Sequence, residues 1–150
     1  MDALNIAKEY DSTQYIVIKI GEEQYGIDIK YVDNILRMQS ITRVPHAQPY
    51  FKGVINLRGE VVPVMSLRIK MSLTDDEITN KSRIIILKLE NNAPVGIVVD
   101  EVKEVVSLDE RSIDEVSKTD SSFIFGVGKV DEGLISLLDL STVIHEKEMV

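Results

Sequence analysis

The chain offers few residues from which an active centre could be assembled. It has two histidines and no cysteine, which excludes thiolate nucleophiles, disulfides and sulfur-based metal sites. His46 follows Pro45 in a loop and His145 lies near the C-terminus. With no His-x-x-x-His spacing at either, each reads as a solvated surface side chain. Carboxylates cluster at Asp75-Asp76-Glu77 and Asp100-Glu101. Such a pair can divide acid and base duty when its surroundings drive the two pKa values apart, but in a chain this acidic the expectation is solvated turns. Gly126-Val127-Gly128 has Asp131 where a dinucleotide loop needs its third glycine, and it falls between predicted strands. No phosphate-cradling Gly-Lys-Ser/Thr run and no nucleophile elbow around a serine occurs. The sequence therefore predicts no catalytic residue, no metal and no cofactor.

Recognition is what remains, and one stretch points to it. Phe51-Lys-Gly-Val-Ile-Asn-Leu-Arg-Gly-Glu-Val-Val-Pro-Val-Met-Ser-Leu67 reads as two apolar strands pinched at Arg58-Gly59-Glu60, where glycine can supply a positive φ. Asn56 and Arg58 interrupt a run that is otherwise core-like. Two readings are open: Arg58 pairs with a carboxylate such as Glu60 while Asn56 satisfies the turn, or both face a partner. Gly53 and Gly59 read first as turn glycines.

The elements that must position this pair are mostly strands. Ile16, Ile18 and Ile20 alternate with Tyr15, Val17 and Lys19, Gly21-Glu22-Glu23 turns, and Tyr25, Ile27 and Ile29 return as an antiparallel partner, both strands feeding one core. Residues 1–12 read as a polar lead-in. Tyr31–Met38 reads as a short helical turn entering a strand, and Ile41–Val44 as an extended piece stopped by Pro45 and Pro49. Pro63 predicts an edge or bulge. The polar segment from Ser72 to Ser82 is the best boundary, followed by strands over Arg83–Leu89, Pro94–Val99 and Asp100–Val106, then a long, partly ordered connection from Ser107 to Ser122. A last hairpin turns at Asp131-Glu132, and Asp139 or Ser141 caps a short helix carrying Leu140, Val143 and Ile144. About ten short strands in two clusters fit small barrels or a sandwich, and no long-period repeat is legible.

Composition narrows the partners. At 150 residues the chain suits one domain, or two small sub-domains sharing a core. A formal net charge of −8 argues against nucleic acid, whose affinity rests on counterion displacement by lysine and arginine. No apolar stretch is long enough to cross a bilayer and the first residues lack a signal-peptide pattern. A cytoplasmic protein without direct membrane insertion is expected.

The block Phe51-Lys-Gly-Val-Ile-Asn-Leu-Arg-Gly-Glu-Val-Val-Pro-Val closely resembles the CheW family of bacterial chemotaxis coupling proteins. So do Tyr25-Gly-Ile-Asp-Ile, Leu67-Arg-Ile-Lys, Val95-Gly-Ile-Val-Val-Asp-Glu-Val and Phe125-Gly-Val-Gly-Lys-Val, so the likeness spans nearly the whole chain. The resemblance implies a mainly β fold of two SH3-like five-stranded barrels sharing a hydrophobic seam, roughly 14–71 and 82–138, with a C-terminal helix over 139–150 packing on them. It leaves the exchange of strands between barrels open. It implies a non-catalytic adaptor that couples methyl-accepting chemoreceptors to the histidine kinase CheA, recruited to membrane-associated receptor arrays. The kinase's regulatory domain and the receptor's cytoplasmic tip are the expected partners, the tip lying in a groove between sub-domains. Arg58 matches the family arginine linked to receptor coupling, and Val32, Asn34, Gly53, Asn56, Gly96 and Val105 fall where coupling surfaces are expected. Asn34 stands where relatives often carry glutamate, which removes a charge-based contact there. Two alternatives carry different expectations. A CheW-like domain of a regulatory coupling protein precedes a receiver domain, which a chain ending at Val150 lacks; a small metal-dependent hydrolase would use Asp100 or the Asp75-Asp76 pair.

Overall fold

The computed structural model describes residues 12–116, 123–131 and 133–144. Eleven strands run in order β1 (Ser12–Ile20), β2 (Glu23–Asp28), β3 (Val32–Arg37), β4 (Phe51–Leu57), β5 (Glu60–Ser66), β6 (Arg83–Leu87), β7 (Val95–Val99), β8 (Glu101–Asp109), β9 (Asp114–Glu115), β10 (Ile124–Val130) and β11 (Gly133–Leu138). Single helical turns follow β5, as α1 (Leu67–Lys70), and β11, as α2 (Leu140–Val143). A 3-10 turn at Ile29–Tyr31 leads into β3, the expected helical turn entering a strand.

The strands form two sheets, ordered β8-β1-β2-β11-β10-β9 and β3-β6-β7-β5-β4. Each curls around its own apolar interior. Tyr15, Val17, Leu108, Ile135 and Leu137 fill the first, and Ile55, Val62, Val64, Ile84, Ile86 and Val98 the second. The opposite faces of the central strands meet in a third cluster, the seam, which holds Ile16, Ile18, Ile20, Ile27, Met65, Ile85, Leu87, Val95, Ile97 and Val99 and is closed by Leu140, Val143 and Ile144 of the last helical turn. This is a mainly β architecture whose two sheets fit two SH3-like sub-domains with a short C-terminal helix. The expectation that β1 and β2 feed one core is corrected. Alternate residues of β1 serve two cores, so the strand is buried on both faces.

The sheets do not coincide with the halves 14–71 and 82–138. β3 leaves the first hairpin to pair with β6, and β8 leaves β7 to pair with β1, so each sheet draws strands from both halves. Pro63 sits in neither an edge strand nor the irregularity of its ladder, which falls on β4 between Phe51 and Gly53. It is tolerated because the pairing of β5 with β7 begins only at Val64. The connection expected from Ser107 is strand to Asp109, followed by a 3-10 turn at Glu110–Ser112 and the two-residue β9. The expected lead-in over 1–11, the end of that connection, Glu132, His145 and the tail beyond it lie outside the described residues.

The fold contains a repeat that is invisible in the sequence. β4-β5 and β10-β11 share burial patterns position by position, each pair has a register shift just before a buried glycine, Gly53 or Gly126, and each is followed by a single helical turn, α1 or α2. Each second strand pairs in parallel with a central strand, β7 or β2. Each ends at a side chain that caps the helical turn, Ser66 accepting from Ile69 N–H at 3.1 Å and Asp139 from Thr142 N–H at 3.4 Å.

Candidate interaction surface

The β4–β5 hairpin is the shortest two-residue kind, and its geometry explains Asn56. Arg58 and Gly59 take φ of 53° and 85°, the two positive values that match a hairpin turn to right-handed strand twist. Glycine adopts this freely, whereas an arginine there is held at a cost of about 1–2 kcal/mol. Asn56 offsets part of it, its Oδ1 accepting the Gly59 N–H at 3.0 Å. Arg58 makes no ion pair with Glu60 or any other described residue, and its side chain is exposed. Val61, directly across the ladder from Asn56, is 69% exposed. The hairpin tip thus presents an uncommitted cation, held in a rarely used backbone conformation, beside a bare valine. Strain of this kind persists where the surroundings impose it, and it points to function.

Gly53 has a different task. A Cβ at this position would lie 2.1 Å from the Thr42 carbonyl oxygen, because Thr42 and Val54 exchange backbone bonds of 2.8 Å in both directions to close the second sheet on itself. Gly96 likewise faces its sheet's interior, where a Cβ would meet Ile84 at 3.0 Å and Ile86 and Val64 at 3.3 Å. Both are buried and shape the barrel, leaving no side chain for a partner to touch.

Val32, Asn34 and Val105 lie elsewhere, on the edge strands. Val32 is half-buried against the seam, and Asn34, just past a register shift, turns its Oδ1 onto the Ile35 N–H at 2.8 Å. Val105 is 48% exposed on β8 opposite Ile16, and Ile35, 40% exposed on β3, lies opposite Ile85. Since directly paired residues share a face, Ile35 and Val105 belong to the seam side of their sheets yet are uncovered. Val32 and Val102, opposite Leu87 and Ile18, sit partly buried beside them. The seam therefore runs out to solvent along an apolar margin on each sheet. The structure places Asn56 and Arg58 together, Val32 and Asn34 on the far edge of the same sheet, and Val105 on the other sheet. Sequence reasoning missed Val61, Ile35 and Val102; their apolar character was legible, but the exposure of Val61 and Ile35 and the half-burial of Val102 were not.

The carboxylates are committed to cations at separate places. Asp75 accepts from Lys52 Nζ at 2.8 Å, and Asp100 receives Arg68. Asp76 is not the solvated turn residue that its acidic run predicts, for its side chain is 2% exposed. Among the described residues no group of three His, Asp or Glu side chains could hold a metal ion, and no helix is long and apolar enough to cross a membrane.

Comparison with known proteins gives this geometry relatives. A family profile described as the CheW-like domain matches residues 14–148. The chain is 35% identical over 136 residues to the chemotaxis protein CheW of Bacillus subtilis, covering 88% of this chain and 86% of that one. It is 32% identical over 148 residues to the chemotaxis protein CheW of Klebsiella aerogenes, covering 96% and 89%. The crystal structure of the scaffolding protein TtCheW from Thermoanaerobacter tengcongensis superposes with a TM-score of 0.82 at 33% identity, covering 92% of this chain and 97% of that one.

Proposed function

The chain belongs to the CheW-like domain family, and from that membership we propose that it is a chemotaxis adaptor, coupling methyl-accepting receptors to the histidine kinase CheA through protein contacts and without catalysis. The observation that carries this reading is the hairpin tip, where Arg58 is exposed, without an ion-pair partner among the described residues, and conformationally costly beside the bare Val61. A residue that served only the fold would be replaced there by glycine or asparagine without loss. The apolar margins at Val32 and Val105 supply the second surface, suited to an amphipathic helix whose apolar side chains enter a furrow while polar groups rim it. Gly53 and Gly96 contribute indirectly, by fixing the barrel that carries the tip. Contacts of this kind bury on the order of 1,000 Å² and gain strength by repetition in an array, to which the protein is recruited by its partners.

The test is a pull-down with a receptor signalling fragment and with the kinase's regulatory domain, each alone and both together. Wild-type protein retains both, and Arg58→Ala loses receptor coupling while keeping its fold. Absence of binding to either partner, singly or jointly, overturns the reading.

A further inference from the structure

The segment from Ser72 to Ser82, polar enough in sequence to suggest a linker, is tied down by Lys52 donating to Asp75 at 2.8 Å and Arg68 donating to Thr74 at 3.1 Å, and beside these two bonds it carries a buried acid. Asp76 has 2% of its side chain exposed, and beyond the adjoining Ser66 hydroxyl neither carboxylate oxygen meets a hydrogen-bond donor among the described residues. A buried polar group in that state ordinarily finds a partner or a reason. The charged groups facing it are Lys52 on β4, whose Nζ stands 3.9 Å from Oδ2 but makes its close contact with Asp75, the Asp75 carboxylate next to it in the segment, the carboxylate of Asp100 beyond β7, and Arg68 on α1. Two residues along, Ile78, 53% exposed, lines a cavity of about 390 Å³ with Met38, Gln39, Ser40, Ile41, Lys52 and Val98. Val98 belongs to the interior core of this sheet, and Met38 and Ile41 pack against that core. The cavity is the mouth of the barrel, and Lys52 stands both on its rim and at the anchor of the segment.

We propose that residues 72–82 form a proton-sensitive cover over this mouth, seated by the Asp76 carboxyl and loosened when that carboxyl ionises. Desolvation pushes the Asp76 carboxyl above the usual carboxylate range, and the neighbouring Ser66 hydroxyl and Lys52 ammonium oppose the rise without cancelling it. A group whose seated pKa is raised stabilises the seated state below its solvated pKa, and this contribution is lost as pH rises through the seated value. The cover is therefore held most firmly in acid and released as pH rises through the raised value, uncovering Met38, Ile41 and Val98.

Methyl and carboxyl NMR on the full chain tests this, following the Asp76 carboxyl carbon, the Ile78 methyls and the paramagnetic attenuation of the Met38 and Ile41 methyls by a soluble agent from acid to neutral pH. The expected result is one shared midpoint above the usual carboxylate range, with attenuation at Met38 and Ile41 increasing beyond it and the dependence absent in Asp76→Asn. Lys52→Met, which removes the nearest cation, shifts the midpoint to higher pH, and this serves if the asparagine variant does not fold. An Asp76 carbon titrating in the ordinary range, Ile78 methyls indifferent to its titration, or a Lys52→Met midpoint that stays or falls overturns the proposal.

Discussion

Arg68 grips Asp100 through two bonds, Nε to Oδ1 at 3.0 Å and Nη2 to Oδ2 at 2.8 Å, and the same Oδ2 accepts the Gly21 N–H at 2.7 Å. The guanidinium rides on α1, which follows β5 of the five-stranded sheet, while Gly21 is in the β1–β2 turn of the other sheet, so this partly buried cluster joins the two sheets. Burial alone would lift the Asp100 carboxyl, but Arg68 and the Gly21 amide outweigh it and hold the carboxyl below the usual carboxylate range. Its contribution to stability is present above the solvated pKa of an aspartate and is lost as pH falls through the lowered value. Asp100→Asn is expected to lose about 2–3 kcal/mol at neutral pH, and less in acid, where the wild type has already lost the ionised partner. Urea melts at neutral and acidic pH check this, and an equal loss at both would refute the charge as its origin.

At the hairpin tip, stability and function should part. Arg58→Gly relieves the positive φ and is expected to raise stability by about 1 kcal/mol, while Arg58→Ala changes it by less than about 0.5 kcal/mol because the side chain is exposed and makes no ion pair among the described residues. Both variants should weaken receptor coupling alike. Paired melting curves and binding assays decide, and a glycine variant that binds normally would remove Arg58 from the contact.

Gly53 and Gly59 both have positive φ but differ in surroundings. Gly53→Ala sets a methyl against the Thr42 carbonyl and should cost about 3 kcal/mol or more. Gly59→Ala has open space around its Cβ and should cost about 1 kcal/mol, for backbone strain alone. Denaturant midpoints rank the two, and equal losses would mean that sheet closure at Thr42 yields without penalty.

The seam and its margin are expected to separate in the same way. Ile85→Ala empties a fully buried site and should cost about 2–5 kcal/mol. Ile35→Ser and Val105→Ser, across the ladder from seam residues but exposed, should stay within about 0.5 kcal/mol while lowering capture of the receptor fragment. Losses of several kcal/mol at the margin would show it to be core and not a docking face.

Much of the local structure was legible because short-range rules decide it. The β1–β2 hairpin, the helical turn before β3, the break at Pro45 and Pro49 and the cap at Asp139 all appear where their residues place them. Two faces of one strand being buried was not legible, since Tyr15 and Val17 look like the outer face of a half-wet strand until a second core is present to receive them. Nor was the crossing of β3 and β8, because pairing partners far apart in sequence leave no periodic trace. The repeat escaped for a related reason. Barrel interiors accept many apolar side chains of similar volume, so Val62 and Ile135, or Ser66 and Asp139, do equivalent work without looking alike. Of the expected surface residues, Arg58 carries a visible signal in its interruption of an apolar run, whereas the burial of Gly53 and Gly96 depends on neighbours contributed by other strands.

The crossing of β3 and β8 means that neither half of the polypeptide owns a complete barrel. A protease that nicked the backbone anywhere between Ser72 and Ser82 would not liberate two small folded modules; the pieces would stay laced together, each supplying a stave the other lacks. Heat or denaturant should accordingly undo both barrels in a single event, so the relative placement of the surfaces they carry persists for as long as the molecule is folded at all.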